Sequence, residues 1–144
     1  MQNSFTGVIT LYNRILGGME EHWQRTVLQG VAIADRQGEA IRHSGAASSS
    51  ARRIGPVSVN EMTVLIPKGV QAGYMTPMGW RMAENHMGHW TLQPGDILVP
   101  GVCDREVGES IAELMANCDR VAVIGTVADF GSSGALSHWE VTAR

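Results

Sequence analysis

Short runs of β-branched and aromatic residues, separated by glycines, extend through almost the whole chain and restrict it to a β-rich fold. The 144 residues include 17 glycines. That share is about 12%, nearly twice the usual value of roughly 7%. Apolar residues follow the 3.6-residue spacing of a helix only over a few positions after residue 110. A helix bundle is therefore excluded, and so is a Rossmann-type fold, which needs helices alternating with strands.

The apolar runs and the turn residues between them predict the order of elements. Strands are expected over 7–13, 20–34, 57–67, 97–99, 121–127 and 136–141, with a short seventh strand around Tyr74. Gly30 is expected to mark a bulge or bend, and turns are expected at 35–38 and 93–96. Ser110 and Glu113 have the spacing of a capping box, which predicts one short helix over 110–117.

We therefore predict a mainly β fold, either a small β-barrel or a sandwich, of about six to seven strands with one short helix and a long loop. The whole chain, 1–144, is expected to form a single domain because domains usually have roughly 100–200 residues. Its hydrophobic fraction of 44% is sufficient for a core. Intrinsic disorder over the whole length is excluded.

The charge and the cysteine count indicate an ordinary protein made in a reducing cytoplasm. The net charge is −3, so the molecule as a whole is not a basic nucleic-acid binder. No apolar run approaches the roughly 20 residues of a membrane span. We expect no secretory signal at the N-terminus. The two cysteines, Cys103 and Cys118, are too few for a disulfide framework and are expected to be reduced thiols.

Residues 38–56 differ from the rest of the chain in composition and are predicted to form a long loop within the domain. The stretch is small, polar and basic, without a helical or strand period. Together with Arg36 it carries four arginines against Glu39, a net charge of about +3 that leaves about −6 for the remainder. Its candidate contacts with DNA phosphates are Arg42, His43, Arg52 and Arg53. A simple solvated surface loop is the alternative interpretation.

A second unusual stretch, 70–88, is rich in Gly, Pro and Met and is predicted to be irregular. Methionine and tryptophan favour adaptable protein interfaces. The candidate interface residues are Met75, Met78, Trp80 and Met82. The other three tryptophans, Trp23, Trp90 and Trp139, are expected to pack in the core or between strands.

Catalytic and metal-binding motifs give only a weak signal. His86 and His89 are the only close histidine pair, and His138, Cys103 and Cys118 could supply further ligands, but the spacing of a zinc site is missing. Neither a nucleophile elbow nor a P-loop is present. We therefore expect no enzyme activity, no metal and no cofactor. A metal-dependent enzyme that uses His86, His89 and a cysteine remains the alternative from another class.

Three stretches taken together resemble a known family. They are Thr10-Leu11-Tyr12-Asn13 with Trp23-x-x-Thr26-Val27-Leu28, then His89-Trp90-Thr91-Leu92-Gln93-Pro94-Gly95-Asp96-Ile97-Leu98-Val99, and finally a terminal stretch from Asp119 that includes Asp129-Phe130-Gly131-Ser132 and His138-Trp139-Glu140-Val141. Their order resembles small minor structural proteins of tailed bacteriophages and prophages. The resemblance covers roughly two-thirds of the chain; residues 38–56 and 70–88 depart from it and are not matched residue by residue.

The resemblance implies a component of the virion neck, made in the bacterial cytoplasm. The nearest analogy is a head-closure or stopper protein, a small β-barrel that forms a ring of about six copies. Such a ring binds the portal or adaptor on one side and the tail terminator or tail tube on the other. A long loop contacts packaged double-stranded DNA in the lumen without sequence specificity. A tail terminator is the alternative, and a dodecameric adaptor is disfavoured because adaptors of this type tend to be helical.

Overall fold

The computed structural model describes residues 5–17, 20–41, 56–107, 111–131 and 137–144. These ranges contain six strands and two short helices. In chain order they are β1 (Gly7–Gly17), β2 (Glu20–Ile41), β3 (Pro56–Pro67), α1 (Pro77–Met82), β4 (Ile97–Pro100), α2 (Ala112–Asn117), β5 (Ala122–Phe130) and β6 (His138–Ala143). The predicted mainly β class is confirmed, and of the two predicted architectures the structure has the barrel.

The six strands form a closed antiparallel barrel in the order β1-β2-β3-β6-β5-β4, with β4 returning to β1. Closure pairs the strands around the whole circuit, so that apolar side chains at alternate positions share one interior. In β6, Trp139, Val141 and Ala143 are buried, whereas the residues between them are partly exposed. The core is made by the following residues: Ile9, Leu11, Leu28, Val31, Met62, Val64, Ile66, Trp90, Leu92, Leu98, Ala122, Ile124, Trp139, Val141 and Ala143.

The predicted irregularity at Gly30 is confirmed. Gly7 lies opposite Val31 and Val8 lies opposite Gln29, so Gly30 is the extra residue of a β-bulge. Its φ is +87°, a left-handed conformation that glycine adopts without steric cost. The extra residue shifts the alternation by one position. Leu28 and Val31 therefore both point into the core although they are three positions apart.

β2 and β3 form a long hairpin, and the turn predicted at 35–38 is wrong. β2 continues to Ile41, whose partner is Pro56. β6 pairs with β3 only over residues 62–67, so 36–41 and 56–61 make their ladder with each other. We call these two segments the β2–β3 ribbon. Asp35 and Gly38, typical turn residues, remain extended here because β3 supplies backbone partners for both. Of the predicted loop 38–56, residues 38–41 and 56 are strand instead, and residues 42–55 lie outside the described residues.

α1 was not predicted, and the expectation of a single helix is wrong for the described residues. Thr76 caps the helix, since its Oγ1 accepts a hydrogen bond from the Gly79 N–H at 3.1 Å, and Pro77 occupies the first turn. Both are ordinary signals of a helix start. The prediction missed them because α1 has only six residues and shows no extended apolar period.

α2 covers the outer face of β1 and β4. It begins at Ala112 and ends at Asn117, within the predicted range, while Ser110 lies outside the described residues. Leu114 of α2 packs on Tyr12, Ile97 and Val99 in a second cluster that also holds Cys103 and Val107. Trp23 is partly buried against this outer cluster.

The segment between β3 and β4 brings aromatic rings to the barrel core. Tyr74 forms a parallel bridge with Trp90, and its ring lies 4.4 Å from that of Trp139. Trp90 and Trp139 meet edge to face at 5.8 Å between centroids, a favourable geometry for aromatic pairs. The expectation that Trp90 and Trp139 are core residues is confirmed. The short strand predicted at Tyr74 is reduced to this single bridge.

Candidate functional site

The β2–β3 ribbon is the first candidate functional feature. Six residue pairs at about 3.3 Å each give it a length of about 20 Å beyond the end of β6. Ile41 and Pro56, which flank residues 42–55 in the sequence, are direct partners. The predicted DNA-contacting residues Arg42, His43, Arg52 and Arg53 all belong to this stretch and lie outside the described residues.

Ion pairs join the base of the β2–β3 ribbon to the barrel. The Arg120 Nε donates to both carboxylate oxygens of Asp35, at 3.1 and 3.2 Å. Arg144 lies 3.8 Å from Glu61 on the neighbouring strand, a longer and more exposed contact. Surface pairs of this kind contribute little to stability individually. They join Asp35 of β2 to Arg120, which precedes β5, and Glu61 of β3 to Arg144, which follows β6.

The candidate interface residues of the 70–88 stretch divide into two groups. Met78 and Met82 are 61% and 76% exposed, and they lie four residues apart on one face of α1. Met75 is partly buried, and its N–H donates to the Trp90 carbonyl. Trp80 is only 1% exposed, so its assignment to the outer surface is corrected.

Trp80 holds α1 against β1. Its indole Nε1 donates to the Arg14 carbonyl at 2.9 Å, and His86 packs on the ring at 4.3 Å between centroids. The burial of Trp80 is what presents Met78 and Met82 to solvent. Leu16, also exposed, shares a small pocket with Arg81 and His86. We call Leu16, Met78, Arg81 and Met82 the α1 surface.

A shallow groove crosses the outer face of the barrel on β2, β3 and β6. Its volume is about 390 Å³. It is lined by Ala32, Ile33, Ala34, Thr63, Leu65 and Glu140. Its lining is mostly apolar, with Glu140 as its one charged side chain.

The histidines and cysteines proposed as alternative metal ligands are not gathered into one site. His86 Nε2 contacts the Trp80 carbonyl at 2.8 Å, and His89 Nδ1 contacts the Gly73 carbonyl at 3.2 Å. His138 stacks on Phe130 instead. Within the described ranges no three His, Cys, Asp or Glu side chains lie together as a metal would require. The metal-enzyme alternative therefore has no ligand set among those residues.

A buried polar centre, which the sequence analysis missed, joins β1 to the turn before β4. Asn13 Nδ2 donates to the Asp96 carboxylate at 2.7 Å and to the Thr91 carbonyl at 2.8 Å. The Arg14 N–H and the Gln93 side chain donate to the other carboxylate oxygen. Asp96 is 1% exposed. Burial raises its pKa to about 6, although hydrogen bonds from Asn13, Arg14 and Gln93 act in the opposite direction.

This centre is a structural element rather than a site open to a substrate. Both polar atoms of the Asn13 side chain form hydrogen bonds within the chain, since its Oδ1 also accepts one from the Thr91 N–H at 3.0 Å. The signals available in the sequence were an asparagine inside a strand and an aspartate at the end of a Pro-Gly turn. Neither indicates the other, because the two positions are 83 residues apart.

The fold and these surfaces define a small closed antiparallel β-barrel protein in which two strands continue to pair beyond the end of β6. The chain belongs to a family of unknown function, DUF6751, whose model matches residues 5–144. No curated protein and no solved structure matches the chain. Among the described residues, none of the helices has the length and apolar character needed to cross a membrane.

Proposed function

We propose that this protein is a structural subunit of the phage neck, a head-closure or stopper protein that forms a ring between the portal or adaptor and the tail. The observation that carries the proposal is the β2–β3 ribbon, which pairs beyond the end of β6 and whose two strands are joined in sequence by the basic residues 42–55. A ring of such subunits would direct one ribbon from each copy toward a common axis. The subunit would act through its shape, as a virion component without catalytic chemistry.

Electrostatics favour DNA as the partner of residues 42–55. Residues 42–55 contain Arg42, Arg52 and Arg53 and no acidic residue, whereas the chain as a whole has a net charge of −3. Arginine binds phosphate through paired donors without reading the base sequence. Several copies around one channel would add their fields, so that a modest charge on each subunit becomes effective. The partner would be packaged double-stranded DNA.

The α1 surface is the proposed contact with a neighbouring subunit or an adjoining ring. Exposed methionines on one helix face adapt to partner surfaces. Arg81 beside them adds a positive charge. The shallow groove on β2, β3 and β6 offers a second contact. One subunit can then bind neighbours on two sides, as a closed ring requires.

The decisive experiment locates and counts the protein in particles of the phage or prophage that encodes it. We expect electron microscopy and quantitative mass spectrometry to find about six copies in one ring at the neck. A tail terminator, the alternative function, would remain on tails purified without heads, whereas a stopper would remain on filled heads without tails. Twelve copies next to the portal would indicate an adaptor. Absence from particles would overturn the proposal.

The DNA contact has its own test, with a matched control. Changing Arg42, Arg52 and Arg53 together to alanine is expected to leave the melting temperature unchanged and to reduce DNA retention in filled heads. The corresponding lysine variant keeps the charge and should retain DNA better than the alanine variant. Equal DNA retention in all three proteins would remove the DNA-binding role from this segment while leaving the ring itself unaffected.

A further inference from the structure

Cys103 and Cys118 form a close thiol pair at the edge of the outer cluster. Their Sγ atoms are 3.7 Å apart, and neither is in a disulfide. A disulfide needs about 2.05 Å. The two atoms would therefore have to approach by less than about 2 Å, a distance that side-chain rotation and a small backbone shift can supply. Cys103 follows β4, and Cys118 directly follows the last residue of α2.

The pair lines a surface pocket in which Cys103 is 9% exposed and Cys118 partly exposed, and no third metal ligand lies beside it among the described residues. Both cysteines line an open surface pocket of about 330 Å³, together with Asp104, Arg105 and Asn117. Two thiols alone do not make a structural zinc site, which needs four ligands. No metal-binding group of three acidic, His or Cys side chains exists within the described part of the chain. The remaining chemistry of two adjacent thiols is two-electron oxidation.

The surroundings shift the pKa values of the two thiols in opposite directions. Burial alone would raise the pKa of Cys103, but the neighbouring Tyr12 hydroxyl, the Arg105 N–H and Cys118 hold it below the usual value. Burial raises the pKa of Cys118, and its hydrogen bond to Cys103 adds to that effect. Cys103 is therefore the more acidic thiol of the pair, and Cys118 is the less acidic one.

We propose that Cys103 and Cys118 are a redox-active dithiol that hydrogen peroxide converts into an intramolecular disulfide. The Cys103 thiolate attacks one peroxide oxygen, the O–O bond breaks, and the departing hydroxide takes up a proton to become water. Cys103 is then a sulfenic acid. Cys118 Sγ attacks Cys103 Sγ, the S–O bond breaks, and the hydroxyl leaves as water with the Cys118 proton. Two thiols and one peroxide give one disulfide and two waters.

The disulfide would fasten the end of α2 to a segment that already binds β1. The Cys103 N–H donates to Thr10 Oγ1 at 2.8 Å, and the Arg25 guanidinium donates to the Cys103 carbonyl at 3.0 Å. The backbone of Cys103 is thus held by hydrogen bonds on both sides, and Cys118 lies at the end of the helix that covers the outer cluster. The new bond closes a loop around α2 and restricts the unfolded chain. This inference does not depend on the proposed neck function.

Intact-mass spectrometry of the full chain after treatment with hydrogen peroxide tests the proposal. We expect the loss of two hydrogen atoms, a crosslinked peptide joining Cys103 to Cys118, and a higher melting temperature that dithiothreitol reverses. The Cys118→Ser variant should accumulate a sulfenic acid on Cys103 that dimedone traps. The Cys103→Ser variant should react with dimedone much less after the same treatment.

Three results would overturn the proposal. They are an unchanged mass, oxidation that leads only to disulfides between chains, and faster trapping on Cys118 than on Cys103. If a serine variant does not fold, the crosslinked peptide and the reversible melting shift of the unmodified chain still decide the matter. The variant with both cysteines changed to serine is the control and should show no peroxide-dependent change in melting temperature.

Discussion

Asp96 is a single buried residue that joins two distant parts of the chain. Its carboxylate receives hydrogen bonds from Asn13, the Arg14 backbone and Gln93, and these tie β1 to the turn before β4. The same burial that makes these bonds effective disfavours the charged form, so the pKa rises from 3.8 to about 6. The folded chain therefore binds this proton more tightly than the unfolded chain does.

Stability is expected to decrease as the pH rises through the titration of Asp96. Because its folded-state pKa is raised, its contribution is fully present below pH 3.8 and is lost as the pH passes about 6. The difference amounts to about 3 kcal/mol. Urea unfolding of the native protein and of Asp96→Asn at pH 4 to 7 measures it, with the exposed Asp104→Asn as control. Identical pH profiles in all three proteins would contradict the raised pKa of Asp96.

Trp139 is the residue whose removal should cost most in the barrel core. It is 7% exposed and contacts Tyr74, Trp90 and the Lys68 ammonium. Trp139→Ala leaves a large cavity and is expected to reduce the free energy of unfolding by about 3–5 kcal/mol. Denaturant unfolding measures this loss. A loss below about 1 kcal/mol would mean that the last strand does not belong to the core.

At the scale of the element, two bulge glycines allow a matched comparison. Gly30 in β2 and Gly125 in β5 both lie at register shifts of the barrel. Gly30 has a φ of +87°, whereas a Cβ at Gly125 would meet only the Thr142 carbonyl oxygen, at an ordinary 3.6 Å. The two positions therefore differ in backbone conformation rather than in their place in a strand.

Gly30→Ala is expected to destabilise the protein by about 1–2 kcal/mol, because an L-residue is strained at that φ. Gly125→Ala should be neutral or slightly stabilising, since alanine restricts the unfolded chain without strain in the folded one. Thermal or urea unfolding of both variants measures the difference. Equal effects at the two positions would show that the left-handed backbone at Gly30 does not determine the stability of the bulge.

The elements also show where local sequence is sufficient and where it fails. β1, β3, β4, β5 and β6 have the alternation or apolar content that predicts strands, and their existence follows from it. The strand at the end of β2 does not follow from its local sequence. Residues 35–38 favour a turn, and they are extended because β3 provides backbone partners. α1 is decided by Thr76, Pro77 and the burial of Trp80, which together stabilise six residues that are too few to show a period.

At the scale of the whole molecule, the α1 surface is expected to serve assembly rather than folding. Met82→Glu should leave the melting temperature nearly unchanged, because the side chain is 76% exposed. It should reduce incorporation into particles, since a charge at an apolar contact must be desolvated. Met115→Glu on α2, where the native side chain is 59% exposed, is the matched control. Incorporation measured by quantitative mass spectrometry should decrease only for Met82→Glu, and equal incorporation would remove α1 from the interface.

The sequence by itself determined the β class, the bulge at Gly30 and the burial of Trp90 and Trp139, because composition, alternation and glycine conformation act over a few neighbouring residues. Only the tertiary structure decided that the sheet closes into a barrel, that β2 extends into the ribbon, and that Trp80 turns inward. It also decided that Asn13 meets Asp96 and that Cys103 meets Cys118. These outcomes depend on partners distant in the chain, and a residue's local pattern carries no information about which distant group will satisfy its hydrogen bonds or cover its apolar surface.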